Sequence, residues 1–234
     1  MIPRLTLLCL VVASTFACDG LPGRPNPDDR YQRPEDVKDF GALYATNCSG
    51  CHGATGQLGP ATPVGDPLYL ALAAPEYLRT IIAGGVAGTA MPRFGQEAGG
   101  TLTPEQIAIL ASGLGARWSS REAEKLAAKA PGLVAPVGGA VPGHDGQVER
   151  GRGVYGQFCA SCHGPDGRGG EKAGSIVHAA YLGLVSDQGL RTTTLVGRRD
   201  LGMPNWHDLG QRPMAPGEIG DVVAWMASHR APAP

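Results

Sequence analysis

Aromatic and charged residues are scarce in this chain of 234 residues. Aromatic side chains make up 6% of the sequence and charged ones 18%, whereas glycine occurs 36 times and proline 20 times. That composition is typical of a loop-rich protein with a thin hydrophobic core. Because its own side chains fill a core poorly, the sequence predicts an additional source of buried apolar surface.

Long apolar runs are also lacking, since a membrane-spanning helix needs about 20 such residues. The run from Leu5 to Ala13, which follows Arg4, is much shorter than that. A basic residue, a short apolar run and small residues leading to Ala17 are typical of a secretory signal peptide. We therefore predict that residues 1–17 are a signal peptide and that the protein is exported to the periplasmic side of a bacterial membrane.

Cysteine is rare, and Cys18 directly follows the predicted signal peptide. The stretch from Ser14 to Cys18 resembles a bacterial lipoprotein signal, in which the residue after cleavage is a cysteine that receives a lipid. The resemblance implies a lipid anchor at Cys18, with the proline-rich residues 18–36 as a tether. The alternative is ordinary cleavage, which would leave a spare thiol at this position.

Neither sign of charge dominates the sequence. The 20 Lys and Arg residues stand against 21 Asp and Glu residues, a formal net charge of -1. A nucleic-acid-binding surface would show as a strong basic excess. We therefore expect no nucleic-acid partner.

Two copies of one sequence account for most of the remaining chain. The pentapeptide Cys48–His52 recurs 111 residues later as Cys159–His163, and Met91-Pro92 recurs 112 residues later as Met203-Pro204. Apolar residues at helical spacing open and close each copy. We predict an all-α fold in which two tandem domains are joined by a Pro/Gly-rich linker that begins with a short exposed helix.

The repeated Cys-x-x-Cys-His pattern is the attachment signature of c-type haem. Two thiols three positions apart can bond to the two vinyl groups of one porphyrin, and the adjacent histidine can bind the iron. The predicted thioether and iron-binding residues are Cys48, Cys51, His52, Cys159, Cys162 and His163. The alternatives are a redox-active cysteine pair and a zinc site, but paired zinc motifs normally lie about 15–20 residues apart.

Each iron is expected to take a second axial ligand, and methionine or histidine serves in electron carriers. Met91 and Met203 occupy matched positions, 39 and 40 residues after their histidines, and each is followed by proline on a Gly/Pro-rich loop. We predict that both bind iron. Met214 is the substitute candidate for the second haem, whereas Met226 belongs to a helical apolar stripe and is predicted to be core.

Other polar residues could lie near the haems. Arg79 and Arg191 share one repeat position and could pair with haem propionates, with a solvated helix face as the alternative. Four histidines have no counterpart in the first copy: His144, His178, His207 and His229. We predict that they are solvated or pack within loops. As an alternative, His178 or His207 could lie near the second haem.

Each half resembles a small single-haem cytochrome c domain, with a helix, the Cys-x-x-Cys-His motif, a long loop, a Met-Pro loop and a closing helix. The resemblance identifies a two-domain dihaem bacterial cytochrome, with all-α domains at residues 37–117 and 148–230 and a linker at 118–147. It also implies that the first and last helices of each domain cross, and that the haem edge is exposed for electron exchange.

The family has a glycine at that crossing, eight residues before the first cysteine. Gly151 satisfies this pattern, whereas the first copy has Phe40 there. On the closing helix, Gly113 aligns with Trp225. Because close packing favours volume-conserving exchanges, we predict that Phe40 packs on Gly113 and that Gly151 packs on Trp225.

The expected function is electron transfer, because iron held by His and Met has no open position for a substrate. Two covalently bound haem c groups on a tethered chain imply a relay between a membrane respiratory complex and another redox protein. One alternative is a dihaem enzyme of the peroxidase or thiosulfate-oxidising type, which needs an open or unusual iron. Another is a haem subunit of a respiratory or dehydrogenase complex.

Overall fold

The computed structural model describes residue 26, residues 30–130 and residues 146–230. The predicted signal peptide, Cys18 and His144 lie outside the described residues. Regular structure in the described part consists of helices without a strand, which confirms the all-α prediction. None of the described helices is long and apolar enough to cross a membrane.

Residues up to Asp36 form a unit of their own. A short 3-10 helix at Pro34–Asp36 is held there by Arg33, whose Nε lies 2.7 Å from a carboxylate oxygen of Asp36. Both side chains are exposed, so the pair contributes little to stability.

The first copy consists of a main set of helices and one helix from the predicted linker. They are α1 (Phe40–Asn47), α2 (Ser49–His52), α3 (Pro67–Leu72), α4 (Pro75–Gly84), α5 (Pro104–Trp118) and α6 (Arg121–Ala127). The predicted linker helix is therefore present as α6. It packs along α3, and Leu126 lies partly buried against the core, so this part of the linker belongs structurally to the first copy.

The second copy repeats this order with different lengths. Its helices are α7 (Val148–Phe158), α8 (Ala160–His163), α9 (Ala179–Leu184), α10 (Asp187–Val196) and α11 (Pro216–Ala227). The closing helix has Ala215 at its N-cap, which offers no capping side chain. Glu218 compensates by accepting the Ala215 N–H at 2.7 Å, and Arg212 holds the Glu218 carboxylate at 2.7 Å. This ion pair holds the pKa of Glu218 below its usual value.

The first and last helices of each copy pack together, α1 on α5 and α7 on α11. A Cβ added at Gly113 would overlap the ring of Phe40, and one added at Gly151 would lie 2.7 Å from Cβ of Trp225. The predicted pairing of a large with a small residue is therefore present at both crossings. The second crossing is tighter, because the added Cβ of Gly151 would also overlap the backbone carbonyl of Asp221.

Aromatic side chains pack against each other at both crossings. The ring centroids of Tyr44 and Trp118 are 5.3 Å apart, and those of Tyr155 and Trp225 are stacked at 4.2 Å. Aromatic pairs at such distances contribute about 0.5–1.5 kcal/mol beyond their buried area. Scarce large side chains are thus placed where the two ends of each domain meet.

The two crossings predict different responses to substitution. Gly113→Ala should lower the free energy of unfolding by about 1–3 kcal/mol, because the new Cβ collides with Phe40, and Phe40→Gly in the same chain should recover part of this loss. Gly151→Ala should be equally harmful, but Trp225→Gly should not rescue it, because the Asp221 backbone cannot move aside. Chemical denaturation of the haem-loaded protein measures all four variants.

The matched control for the first crossing is Gly115→Ala. A Cβ at this position on the same helix α5 meets open space. It should therefore leave stability unchanged or raise it by up to about 1 kcal/mol, the usual gain from replacing glycine within a helix. Equal losses from Gly113→Ala and Gly115→Ala would contradict the proposed contact with Phe40.

Candidate haem-binding sites

Both Cys-x-x-Cys-His motifs lie on a helical turn that continues the first helix of each copy. The His52 N–H donates to the Cys48 carbonyl at 2.9 Å, and the His163 N–H donates to the Cys159 carbonyl at 3.0 Å. None of the four motif cysteines forms a disulfide, so all four sulfurs are available for other bonds. Burial raises the pKa of Cys48 to about 11 and that of Cys159 to about 12, so these sulfurs stay neutral and suit an apolar environment.

Each motif histidine is oriented by a backbone carbonyl. The Nδ1 atom of His52 lies 2.7 Å from the Thr62 carbonyl oxygen, and Nδ1 of His163 lies 2.7 Å from the Gly174 carbonyl oxygen. A carbonyl oxygen can only accept, so Nδ1 must carry the proton and Nε2 keeps its lone pair. Iron-binding and other metal-binding histidines are oriented in this way. Burial also lowers the pKa of His52, which favours the neutral ring.

A tyrosine from the helix crossing reaches the residue after each histidine. The Tyr44 hydroxyl donates to the Gly53 carbonyl at 2.8 Å, and the Tyr155 hydroxyl donates to the Gly164 carbonyl. These bonds connect the packing of the first and last helices with the end of the Cys-x-x-Cys-His turn. Both histidines therefore occupy equivalent positions relative to their crossings.

The predicted ligands Met91 and Met203 are partly buried on loops that fold back on helix ends. Gly85 ends α4 with a φ of 66°, and Gly197 ends α10 with a φ of 78°. A Cβ on Gly85 would lie 2.7 Å from the Met91 carbonyl oxygen, and one on Gly197 would lie 2.6 Å from that of Met203. Only glycine fits this close approach at positive φ.

The same hydrogen bonds close both Met-Pro loops. The Val86 N–H donates to the Met91 carbonyl at 3.2 Å, and the Arg198 N–H donates to the Met203 carbonyl at 3.1 Å. Three residues after the methionine, an aromatic residue donates its N–H to the preceding helix in each copy. These contacts are Phe94 to Ile82 at 3.1 Å and Trp206 to Leu195 at 3.0 Å.

The two remaining candidate methionines belong to the core of the second copy. Met226 is 6% exposed on α11, as predicted from its apolar stripe. Met214 is 2% exposed, and its N–H donates to the Trp206 carbonyl at 3.1 Å. Packing in the core accounts for both side chains, and ligation by Met203 stays the prediction for the second site.

The paired arginines differ sharply in environment, although they share one repeat position. Arg79 is exposed on α4 with Nη1 3.5 Å from Glu76, as expected of a solvated helix face. Arg191 on α10 is 2% exposed, and burial lowers its pKa. A haem propionate matches the geometry of a guanidinium, so Arg191 rather than Arg79 stays the candidate for such a pair. Sequence alone could not separate these two residues.

Sequence reasoning missed a second polar group in this region. The indole Nε1 of Trp206, a residue 4% exposed, is buried without a hydrogen-bond partner among the described residues. Buried N–H groups are normally paired, so this atom fits a haem with an acceptor nearby. The signal in the sequence was its place three residues after Met203, which in the first copy is taken by Phe94 and carries no donor.

The described histidines outside the motifs are exposed, as predicted. His178 caps α9 by accepting the Ala180 N–H at 3.2 Å, and His207 lies 2.8 Å from Asp208. His229 lies on the ring of Trp225 with a centroid distance of 4.7 Å. Each of them has a local surface role.

Comparison with known proteins agrees with the duplicated motif. The family model described as cytochrome c oxidase, cbb3-type, subunit III matches the chain twice, at residues 35–112 and 146–226. A cbb3-type cytochrome c oxidase subunit FixP of Sinorhizobium medicae is 29% identical over 143 residues, or 57% of this chain and 41% of that protein. The match thus spans less than half the length of this curated relative.

One solved structure is similar in overall arrangement. It is a chain of the reducing HAO-like protein complex of Kuenenia stuttgartiensis, with a TM-score of 0.44 and 18% identity, and the alignment covers 86% of this chain and 100% of the other. A similarity this low carries no functional argument.

Two copies of a Cys-x-x-Cys-His turn, each with an oriented histidine in an all-α domain, define a two-domain c-type cytochrome. Proteins of this class transfer electrons and bind haem covalently. The chain belongs to the family of cbb3-type cytochrome c oxidase subunit III, whose model matches most of its length.

The contrast between the paired arginines predicts a site-specific change in redox behaviour. Arg191→Gln should lower the reduction potential of the second haem, because the buried positive charge stabilises the more negative, reduced state. The first haem should keep its potential. Arg79→Gln is the matched control, and its exposed charge should leave both potentials almost unchanged. Redox titration followed by visible absorption measures both variants, and equal shifts from the two would contradict the proposed role of Arg191.

Proposed function

We propose that the protein carries electrons through two covalently bound haem c groups, one in each of the domains at residues 37–117 and 148–230. The proposal rests on one observation, the repeated geometry of the two sites. Each copy has free motif thiols, a histidine with Nδ1 bonded to a carbonyl, and a Met-Pro loop closed on a helix end by glycine. An enzyme of the dihaem type would need one site unlike the other.

In this proposal the chain holds each haem at four points. Thioethers come from Cys48 and Cys51 in the first domain and from Cys159 and Cys162 in the second. When bound, each haem supplies an iron that gains or loses one electron. His52 and Met91 would bind the first iron, and His163 and Met203 would bind the second. With both axial positions filled by the chain, substrate is excluded from the iron, and methionine raises the reduction potential.

The proposal also includes a location and a partner class. An exported chain with a lipid at Cys18 would work at the periplasmic face of a membrane, where residues 18–36 tether the domains. There it would relay electrons between a membrane respiratory complex and another redox protein. The relative from Sinorhizobium medicae is a subunit of a cbb3-type cytochrome c oxidase, which supports an oxidase complex as the partner.

Intact mass of the matured protein tests the covalent part of the proposal. The expected mass is that of the chain from Cys18 onward plus two haems and a lipid, because thioether bonds survive denaturation. The double variant Cys48→Ala/Cys51→Ala should lose one haem and keep the other, whereas Cys18→Ser should lose the lipid alone and leave the membrane fraction. Fewer than two haems on the unchanged chain would disprove the dihaem assignment.

Ligand binding separates an electron carrier from a dihaem enzyme. The reduced protein should be low-spin at both haems and bind carbon monoxide poorly, because the axial positions are occupied. Met91→Ala or Met203→Ala should each allow one carbon monoxide per protein and lower the potential of that haem alone. Met214→Leu conserves core volume and should open neither iron. Rapid binding or peroxide turnover by the unchanged protein would favour the enzyme instead.

A further inference from the structure

A charged contact joins the two haem domains. Its residues are not repeated between the two copies. The Arg198 guanidinium donates to the Gly59 carbonyl of the first domain at 2.9 Å. The Asp200 carboxylate accepts the Leu58 N–H of the first domain at 2.8 Å. Within the second domain, Arg198 and Asp200 bind each other through Nε at 3.0 Å and Nη2 at 2.8 Å. These four residues are called the interdomain clamp.

The charged pair of the clamp is largely buried, whereas Leu58 lies at the surface. The Asp200 side chain is 2% exposed and the Arg198 side chain 15%. Hydrogen bonding to Arg198 holds the pKa of Asp200 below its usual value, so the carboxylate stays ionised at neutral pH. Bidentate Arg–carboxylate pairs have a restricted geometry, so such a pair fixes orientation as well as proximity. Helix α10 also packs against α3 beside this contact.

Both ends of the clamp lie next to predicted haem ligands. On the first domain, Gly59 packs so closely on the Cys51 carbonyl that a Cβ would overlap it. On the second domain, the Arg198 and Met203 backbones bond to each other in both directions, at 3.1 and 2.9 Å. The clamp therefore connects the attachment turn of one haem with the axial-ligand loop of the other.

Comparison of the two copies shows that the clamp is not part of the repeated sequence. The residues at the repeat positions of Arg198 and Asp200 are Val86 and Gly88, which carry no charge. On the first domain's side of the junction, Leu58 occupies the repeat position of Gly169 in the second copy. The Gly169 N–H bonds inside its own domain, to the His163 carbonyl at 2.9 Å, whereas the Leu58 N–H bonds across the junction.

Leu58 also has an unusual backbone. With a φ of 64°, it is the one non-glycine residue at positive φ in the described part of the chain. Such a conformation is costly for a side chain with Cβ and persists where surrounding contacts hold it. The clamp supplies that contact, since it binds the Leu58 N–H and the adjacent Gly59 carbonyl.

We propose that the interdomain clamp is a positioning device for electron exchange between the two haem sites, which makes this exchange a step within one fixed molecule. The inference rests on the proposed dihaem function. With both haems bound, one electron would pass from the reduced site to the oxidised one, with no bond made or broken and no proton moved. The clamp acts by orienting the Cys51 turn against the Met203 loop.

The test variant replaces the two charged residues of the clamp with those at the same repeat positions in the first copy. The variant Arg198→Val/Asp200→Gly removes both charges by using residues that this loop already accepts in the first domain. Its matched control is Asp166→Thr/Arg168→Gln, which also gives the second domain the residues of the first copy. That control breaks an exposed Arg–Asp pair 3.2 Å apart that does not span the junction.

Two measurements are made on the full haem-loaded chain. Hydrogen exchange of the Leu58 N–H should be fast in the clamp variant and slow in the control. The rate of electron equilibration between the haems after flash reduction should fall at least about tenfold in the clamp variant. The reason is that the two domains must first find the right orientation before each transfer. The rate should also become dependent on solvent viscosity. In the control, rate and viscosity response should match the unchanged protein.

The possible outcomes separate this inference from the proposed function. An unchanged rate in the clamp variant, even with fast exchange at Leu58, would overturn the positioning role, as would an equal fall in the control. If the double variant does not fold, Asp200→Asn is used instead, because it keeps the side-chain volume and removes the charge. It should also slow electron equilibration and speed hydrogen exchange at the Leu58 N–H. Intact mass and carbon monoxide binding are measured in parallel, so loss of a haem or of Met203 ligation is recognised separately.

Discussion

The close contact between the first and last helices of each domain is the constraint on which the rest of the structure depends. Few large side chains are available, and pairs of aromatic ones lie at both contacts. A glycine on one helix admits a large residue from the other, as Gly113 does for Phe40. The same contact orients Tyr44 and Tyr155, whose hydroxyl groups donate to the residue after each motif histidine. Packing between the two ends of each domain thus fixes the position of the Cys-x-x-Cys-His turn.

Duplication preserved the parts of each site that the chemistry of the iron requires and allowed the surroundings to differ. Both histidines donate from Nδ1 to a carbonyl, so both present the lone pair of Nε2. The surroundings are unequal, because Arg191 and Trp206 are buried near the second site, whereas Arg79 is exposed near the first. Local charge and hydrogen bonding adjust the potential of a haem. Two similar sites can therefore differ in reduction potential.

Local patterns in the sequence predicted the fold class, the repeat and the residues of both motifs, because spacing along a helix is a local property. The exchange of Phe40 and Gly113 was also predictable, since the alignment of the copies places them at one contact. Burial was harder to predict, as Arg79 and Arg191 occupy the same repeat position. The packing of α6 on α3 and the support that Glu218 gives to Ala215 depend on tertiary structure, which no single segment encodes.

The junction between the domains shows what a linker alone cannot provide. A flexible connection raises the effective concentration of one domain near the other to about the millimolar range, but it leaves their orientation free. Orientation requires directional bonds, and the pair of Arg198 and Asp200 supplies them to two adjacent backbone groups. The positive φ of Leu58 costs about 1 kcal/mol or more, which a charge-assisted hydrogen bond can offset. A strained residue in one copy thus faces a charged pair that only the other copy carries. A fixed orientation of this kind is what the proposed electron exchange between the two sites would require.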